Sequence, residues 1–343
     1  MDTNEVRVLS AGTALPGQPV DNAALARRFG MDELWQQWVD VFIGTGTRHL
    51  SKDLASGVPS ETLADLAARA GRSALASAGL TGDDIDLLVM STATPDALMP
   101  ATVNMAAEQL GLNGLPTYQL QTGCAGAIQA LDVARGMLLT GERRTALVIG
   151  GDVCTKHFDL ELDLATLSPA ELVNIVLFGD GAGAAVLTTE PVPGSVVLRK
   201  VLNRLTGTGR PPGHTLEWFG LADRAVAKPA ASEDYKAIEE SVPVMSAEIL
   251  AELLDDLDWK DDDVDFLLPP QLSGRMTALI VERLALPHAE EISVVAETGN
   301  NGNALPFLQL ERVLGRMTTG DRAVAVAVES SKWLKAGFAL EKS

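Results

Sequence analysis

The sequence predicts an α/β fold built from two fused copies of one strand-turn-helix unit, and three observations carry that expectation. Short apolar runs alternate with stretches whose apolar residues recur at helical spacing, as in the helix pattern before Ile85–Met90. The words also repeat: Asp83-Asp84-Ile85-Asp86-Leu87-Leu88-Val89 returns as Asp262-Asp263-Val264-Asp265-Phe266-Leu267-Leu268. Leu139-Thr140-Gly141-Glu142-Arg143-Arg144-Thr145-Ala146-Leu147-Val148 returns, in the same order along the chain, as Thr318-Thr319-Gly320-Asp321-Arg322-Ala323-Val324-Ala325-Val326. The period is far longer than that of a solenoid, so it marks a duplicated α/β unit, with one half at 1–190 and the other at 191–343. Finally, 343 residues with 46% hydrophobic and only 4% aromatic content suit tightly packed strands and helices rather than an extracellular β-sandwich.

Taken in order, Val6–Leu9 reads as a first strand and Asp21 caps a helix, with a second helical pattern from Asp32 to Phe42. Residues 44–50 form a loop, and Ser60–Ala78 is a strong helix followed by a turn and the strand Ile85–Met90. Thr102–Leu110 is helical, Pro116–Leu120 is a strand, and Gly141–Gly150 closes a long helix and opens another strand. A helix covers Pro169–Val173, and Leu177–Leu187 is a Gly-rich turn entering a strand. Residues from Leu202 to Val242 look irregular, a length that suggests a pocket-shaping or interface segment. The segment from Leu160 to Leu172 is expected to share that role.

The stretch Gln121-Thr122-Gly123-Cys124-Ala125-Gly126-Ala127-Ile128 puts one cysteine at the first turn of a helix, after a strand and a tight turn. Unpaired N–H groups and the helix dipole favour an anion there, which can lower a thiol pKa from about 8.5 into the reactive range. A small cysteine packed under a glycine turn is the alternative. Counting back along the repeat sets Cys124 opposite Asn300–Asn303, so two equivalent corners can face each other across a pocket near strand ends.

Bulk properties narrow the function classes. Cys124 and Cys154 are the only cysteines and cannot form a disulfide framework, which points to the reducing cytoplasm. No stretch approaches the roughly 18 apolar residues of a membrane span. A net charge of −19 argues against nucleic acid or an anionic membrane as a partner. No metal site is expected.

Four motifs together give the chain a resemblance. Trp38 ahead of Gly44 and Arg48-His49-Leu50, then Thr122-Gly123-Cys124-Ala125-Gly126, then Leu177-Phe178-Gly179-Asp180-Gly181-Ala182-Gly183, then Gly299-Asn300 are similar to the thiolase-like condensing enzymes. The resemblance covers nearly the whole chain and is strongest to the β-ketoacyl-acyl-carrier-protein synthase III group and its acyltransferase relatives. It implies a thiolase-like fold of two pseudo-symmetric halves in five layers, α-β-α-β-α, and a homodimer. It also implies that Cys124 takes an acyl group from coenzyme A or an acyl carrier protein, with no permanently bound cofactor. Asn300, with Asn301 or Asn303 as helpers, would polarise a carbonyl. The backbone N–H groups of Cys124 and of Ser331 or Lys332 would form the oxyanion hole. Trp38 matches the aromatic at the coenzyme A tunnel mouth. Arg275 and Arg283 match places where basic residues meet a carrier protein or nucleotide, although an ordinary solvated helix face accounts for them as well.

The departures are as informative. The family's catalytic His opens His-Gln-Ala-Asn, whereas this chain has Leu268-Pro269-Pro270-Gln271-Leu272 there, so Pro270 stands in the histidine's place. Proline has no side-chain donor, acceptor or titratable group. His157 and His214 are the possible substitutes, but neither has the right sequence context, so a surface or structural role is the stronger expectation for each; His49 is expected to be structural and His288 solvent-facing. The loop Gly299-Asn300-Asn301-Gly302-Asn303 resembles the Gly-x-x-Gly pattern of acyltransferase-type relatives from natural-product pathways. Glu329–Gly337 replaces a Gly-rich closing loop, and β-carbons at Ser331–Trp333 restrict positive φ there. The leading expectation is therefore an acyltransferase working through Cys124 on a hydroxyl, amine or thiol acceptor, in secondary metabolism such as a polyketide pathway. A carbon–carbon condensing enzyme with an altered catalytic set is the second expectation, and an inactive homologue or partner subunit is the third.

Overall fold

The computed structural model describes residues 5–164, 167, 169–218 and 231–343, with 169–171 as backbone alone. Parts of the two expected pocket-shaping segments, at 165–166, 168 and 219–230, lie outside the described residues. Strand β1 (Arg7–Ala14) leads to the short β2 (Val20–Asp21), which pairs with β3 (Thr47–Arg48). Between them, α1 (Asn22–Phe29) is capped by Asp21 Oδ1, which accepts from Ala24 N. The expected helix from Asp32 to Phe42 is divided: α2 (Glu33–Trp38) gives way to a π turn at Val39–Ile43, which Gly44 ends in the left-handed region. Arg48 is buried; its guanidinium donates to Asn22 Oδ1 at 2.6 Å and to the Val176 carbonyl at 2.7 Å, and burial pushes its pKa down to about 10. This residue of the N-terminal motif is thus a structural tie.

Helix α3 (Leu63–Ala78) starts at a Thr62/Asp65 capping box and buries the face containing Leu63, Leu66, Ala67, Ala70 and Ala74. Then follow β4 (Leu87–Thr92), α4 (Thr102–Leu110), β5 (Thr117–Gln121), α5 (Gly126–Leu139) and β6 (Thr145–Asp152). Helix α6 (Pro169–Leu177) runs four residues past the expected end and is followed by β7 (Gly181–Thr188). The described parts of the 202–242 segment are more regular than their sequence suggests. It contains the end of β8 (Val196–Leu205), the two strands β9 (His214–Leu216) and β10 (Ala231–Glu233) paired antiparallel, and the start of α7 (Tyr235–Leu257). The chain finishes with β11 (Phe266–Leu268), α8 (Gly274–Leu284), β12 (Glu290–Glu291), α9 (Val295–Thr298), α10 (Leu305–Leu314), β13 (Arg322–Glu329) and β14 (Leu334–Lys342).

The strands run in the order β12-β11-β13-β14-β8-β1-β7-β6-β4-β5. This is one five-strand pattern used twice. In the first set β4 is parallel to β5 and β6, and β7 is antiparallel to β6 and β1. In the second β11 is parallel to β12 and β13, and β14 is antiparallel to β13 and β8. Among the described residues the strand sets meet through the pairs Arg7↔Val197 and Val8↔Val196 and a hydrogen bond from Leu198 N to the Val6 carbonyl. Helices α5 and α10 share one core with strands of both sets. Helices α3 and α4 cover the outer face of the first set, and α7 and α8 that of the second. The result is helix, sheet, helix, sheet, helix, the five-layer thiolase-like arrangement.

One close approach sets the position of the second corner. Gly150 of β6 pairs with Gly183 of β7. A Cβ at Gly150 would lie 2.3 Å from the Asn303 carbonyl, and one at Gly183 would lie 2.4 Å from Phe307 Cβ. The paired glycines therefore let the start of α10 sit directly on the sheet. Gly150→Ala is expected to cost about 1–3 kcal/mol through overpacking, read as a lower denaturant midpoint in urea unfolding; an unchanged midpoint would show that the helix start relaxes freely.

Candidate active site

Two corners, one from each half, face a cavity of about 770 Å³ whose wall includes both Cys124 and Asn300. At the first corner β5 ends at Gln121 and α5 begins at Gly126, so Cys124 precedes the helix by two residues. Gly126 is required there, since a Cβ would fall 2.3 Å from both Asn303 Oδ1 and Thr122 Cγ2. Asn303 Nδ2 donates to the Thr122 carbonyl at 3.0 Å and to Asp152 Oδ2 at 2.9 Å. Buried Asp152 is the hub of this seam. Its Oδ1 accepts from Thr92 Oγ1, Ala93 N, Thr94 N and Thr94 Oγ1, and its Oδ2 from Asn303 N and Nδ2.

The electrostatics at Cys124 reverse the sequence-based expectation. The thiol pKa is not lowered; it is pushed up to about 12. Burial is the largest cause, and the carboxylates of Glu329, Asp152 and Glu233 add to it. Cys124 keeps part of its surface open to the cavity, but the surrounding wall is protein and gives a thiolate little hydration. The anion-favouring position has another occupant. Glu329, buried at the end of β13, accepts from Gly123 N at 3.0 Å and Thr122 Oγ1 at 2.8 Å through Oε2, and from Ser331 Oγ through Oε1. A carboxylate from 206 residues away in sequence thus takes an N–H of the turn that the expectation left to favour sulfur.

Among the asparagines, the three divide their tasks. Asn300 is buried yet lines the cavity. Its backbone is fixed by N–H to Leu177 O at 2.9 Å and by Gly179 N to its carbonyl at 3.1 Å, which engages the Leu177–Gly183 motif. Gly302 N donates to Asn300 Oδ1 at 3.0 Å, which orients the amide with Nδ2 as the group left to offer a ligand. Asn301 donates to the carbonyls of Asp180 and Thr298, and Asn303 is committed to Thr122 and Asp152, so both are framework.

Pro270 is buried and is not part of the cavity wall. The two possible substitutes, His157 and His214, both line the cavity, and the Nε2 atom of each is buried without a partner among the described residues. Burial pushes the His157 pKa down, with Lys156, His214 and Lys52 adding to the shift. His214 Nδ1 lies 3.2 Å from Glu233 Oε1. His49 is structural, with Nδ1 3.0 Å from the Pro16 carbonyl, and His288 is exposed beside Asp262. No sequence motif pointed to Asp152, His214 or Glu233. His214 is legible in the sequence only as a possible substitute without the right context, and only the length of the 202–242 segment hinted at Glu233.

At the cavity mouth, Trp38 and Phe42 lie with Arg275, whose guanidinium carbon is 5.9 Å from the Phe42 ring centroid. Arg283, in the last turn of α8, is exposed and lies outside the wall, so it is not brought to the mouth. Ser331 lines the cavity, whereas Lys332 does not; its ammonium instead donates to the Arg210 carbonyl at 2.7 Å. In this closing turn the left-handed residue is Trp333, at φ +61°, with its indole donating to the Pro211 carbonyl.

With a pKa near 12, the thiolate fraction at pH 7 is roughly one part in 10⁵. Alkylation of Cys124 by iodoacetamide is therefore expected to be slow at pH 7 and to rise about tenfold per pH unit below 12. Glu329→Gln removes a negative neighbour and is expected to speed it at fixed pH. A rate that levels off below pH 9 would contradict the assigned burial and charge.

Comparisons with known proteins agree with this architecture. The family model for 3-oxoacyl-[acyl-carrier-protein] synthase III matches residues 118–203, and the model of its C-terminal part matches 254–330. A β-ketoacyl-[acyl-carrier-protein] synthase III from Sphingopyxis alaskensis is 31% identical over 95% of this chain and 96% of its own. A solved structure described as AbyA1, a tetronic acid condensing enzyme, superposes with a TM-score of 0.96 and 62% identity, covering 98% of this chain and 99% of that one. The 3-oxoacyl-(acyl carrier protein) synthase III of Pseudomonas aeruginosa PAO1 superposes with a TM-score of 0.83 and 26% identity, covering 98% of each. The two-corner site thus sits in a fold, a motif set and a full-length sequence likeness that agree with one another: the chain belongs to the β-ketoacyl-acyl-carrier-protein synthase III family and is an enzyme of that family.

Proposed function

We propose that Cys124 accepts an acyl group from an acyl-coenzyme A or acyl-carrier-protein thioester and passes it to a nucleophile that needs no malonyl decarboxylation, in a natural-product pathway. The observation that carries this reading is the pairing of Cys124 with Asn300 across one cavity while Pro270 is buried outside it. In the first half-reaction, the Cys124 sulfur attacks the thioester carbonyl, the donor C–S bond breaks, and the Cys124 proton leaves on the departing donor thiol. Asn300 Nδ2 and the backbone N–H of Cys124 or Ser331 are the donors offered to the oxyanion. The high thiol pKa keeps the resting Cys124 protonated until a bound donor arrives. Trp38 and Arg275 at the mouth are suited to a phosphopantetheine arm and its phosphate. Docking of a carrier protein there would use Arg275 against the −19 charge of the whole chain. Homodimer formation and a cytoplasmic setting belong to the same reading.

The cavity charge favours an acceptor without a free carboxylate. Asp152, Glu233, Glu239 and Glu329 all face the cavity, so a malonyl carboxylate would enter against like charges. A second reading is favoured by the 62% identity to a tetronic acid condensing enzyme. Tetronic acid is a five-membered lactone with an acidic carbon between two carbonyl functions. Building such a ring joins an acyl carbon to an already acidic carbon and an oxygen to a carbonyl. An acyl-Cys124 enzyme serves this chemistry with a β-ketoacyl thioester as the carbon nucleophile, which needs a proton acceptor but no decarboxylation.

Intact-protein mass spectrometry with acyl-coenzyme A donors of two to ten carbons tests the first half-reaction. The wild type is expected to gain one acyl group, Cys124→Ala none, and Asn300→Ala to load on the order of 10²–10³ more slowly. No adduct in the wild type, or an adduct that survives Cys124→Ala, would overturn the proposal.

A further inference from the structure

The geometry points to His214, held by Glu233, as the proton acceptor for the acyl acceptor in this cavity, in place of the imidazole that Pro270 removes. This inference rests on the acyl-Cys124 reading above and supplies its missing base. His214 opens β9 and Glu233 closes β10, and the two are direct cross-strand partners. The short hairpin thereby sets one side chain against the other, with Nδ1 3.2 Å from Oε1. The Glu233 carboxylate is 5% exposed. A buried carboxylate beside Nδ1 selects the tautomer with hydrogen on Nδ1 and leaves the Nε2 lone pair free. That Nε2 atom is buried and has no partner among the described residues, and both residues line the cavity that holds Cys124 and Asn300. A general base needs such a lone pair facing its substrate, and of the two cavity histidines His214 is the one with a carboxylate against its other ring nitrogen. Glu233 also adds to the negative charge around Cys124.

The step balances without any further reagent. Nε2 takes the proton from the acidic carbon or hydroxyl of the acceptor. The electron pair released attacks the Cys124 thioester carbonyl, the C–S bond breaks, and the sulfur leaves as thiolate. That thiolate, disfavoured among buried carboxylates, recovers the proton from the imidazolium, which restores both groups. Glu233 acts as a positioning residue, through His214.

The test separates the two half-reactions. Enzyme preloaded with the acyl-coenzyme A that labels it best is chased with acetoacetyl-N-acetylcysteamine, and the loss of the adduct is followed by intact mass. His214→Asn keeps a side-chain nitrogen where Nδ1 stood, so the hairpin retains its donor to Glu233 while Nε2 is lost. This variant is expected to load Cys124 within about twofold of wild type and to discharge it about 10²–10⁴ more slowly. His214→Ala with added imidazole serves as a second variant and is expected to regain discharge in proportion to imidazole. Glu233→Gln is expected to slow discharge by about tenfold or more and to change the ¹⁵N spectrum of the His214 ring away from the Nδ1–H tautomer. Discharge of folded His214→Asn within tenfold of wild type, without imidazole rescue of His214→Ala, would overturn the inference while leaving the acyl-Cys124 reading intact. Failure of the wild type to load would overturn both.

Discussion

The Asp152 carboxylate is the constraint on which the site depends. It is buried at the end of β6 and accepts hydrogen bonds from Thr92, Ala93 and Thr94 at the end of β4 and from Asn303 ahead of α10. An isolated buried carboxylate would be costly, and burial does raise its pKa, but these donors compensate much of the lost hydration. Asn303 then grips the Thr122 carbonyl. One side chain therefore ties the cysteine corner to the asparagine corner across the duplicated fold. Gly302 allows this contact, since a Cβ there would meet Asp152 Oδ2 at 2.2 Å.

From that tie the charge balance follows. A carboxylate fixed this close to Cys124, with Glu329 on the Gly123 N–H, makes the thiolate unfavourable at rest. The site holds a neutral sulfur that reacts when a bound donor is in place to carry its proton away. The arrangement contrasts with a permanently ionised nucleophile and matches a two-stage transfer, in which loading and discharge are separately controlled.

The sequence made some of this legible and hid the rest for physical reasons. The strand-turn-helix corner at Cys124, the duplicated words and the Gly299-Asn300 turn are local patterns, and local patterns survive in one dimension. The two five-strand sets reproduce the duplication strand for strand. The direction of the thiol pKa was not legible, because Glu329 reaches Gly123 across the whole fold. The divided helix at Trp38–Val39 was hidden because a π turn keeps nearly helical apolar spacing. His214 and Glu233 belong to a hairpin with 14 residues between its strands, so neither a turn signal nor a spacing rule connects them. The same distance in sequence explains why a histidine outside the expected motif reads as a surface residue until the fold brings its free nitrogen to the cavity.

The central claim is that the second half-reaction proceeds without decarboxylation. It is tested most directly by mixing acyl-loaded enzyme with a malonyl thioester carrying ¹³C in the free carboxylate and measuring ¹³CO₂ by mass spectrometry. The account predicts no ¹³CO₂ above the enzyme-free background while the Cys124 adduct persists. Release of ¹³CO₂ in amounts matching the loss of the adduct would contradict it.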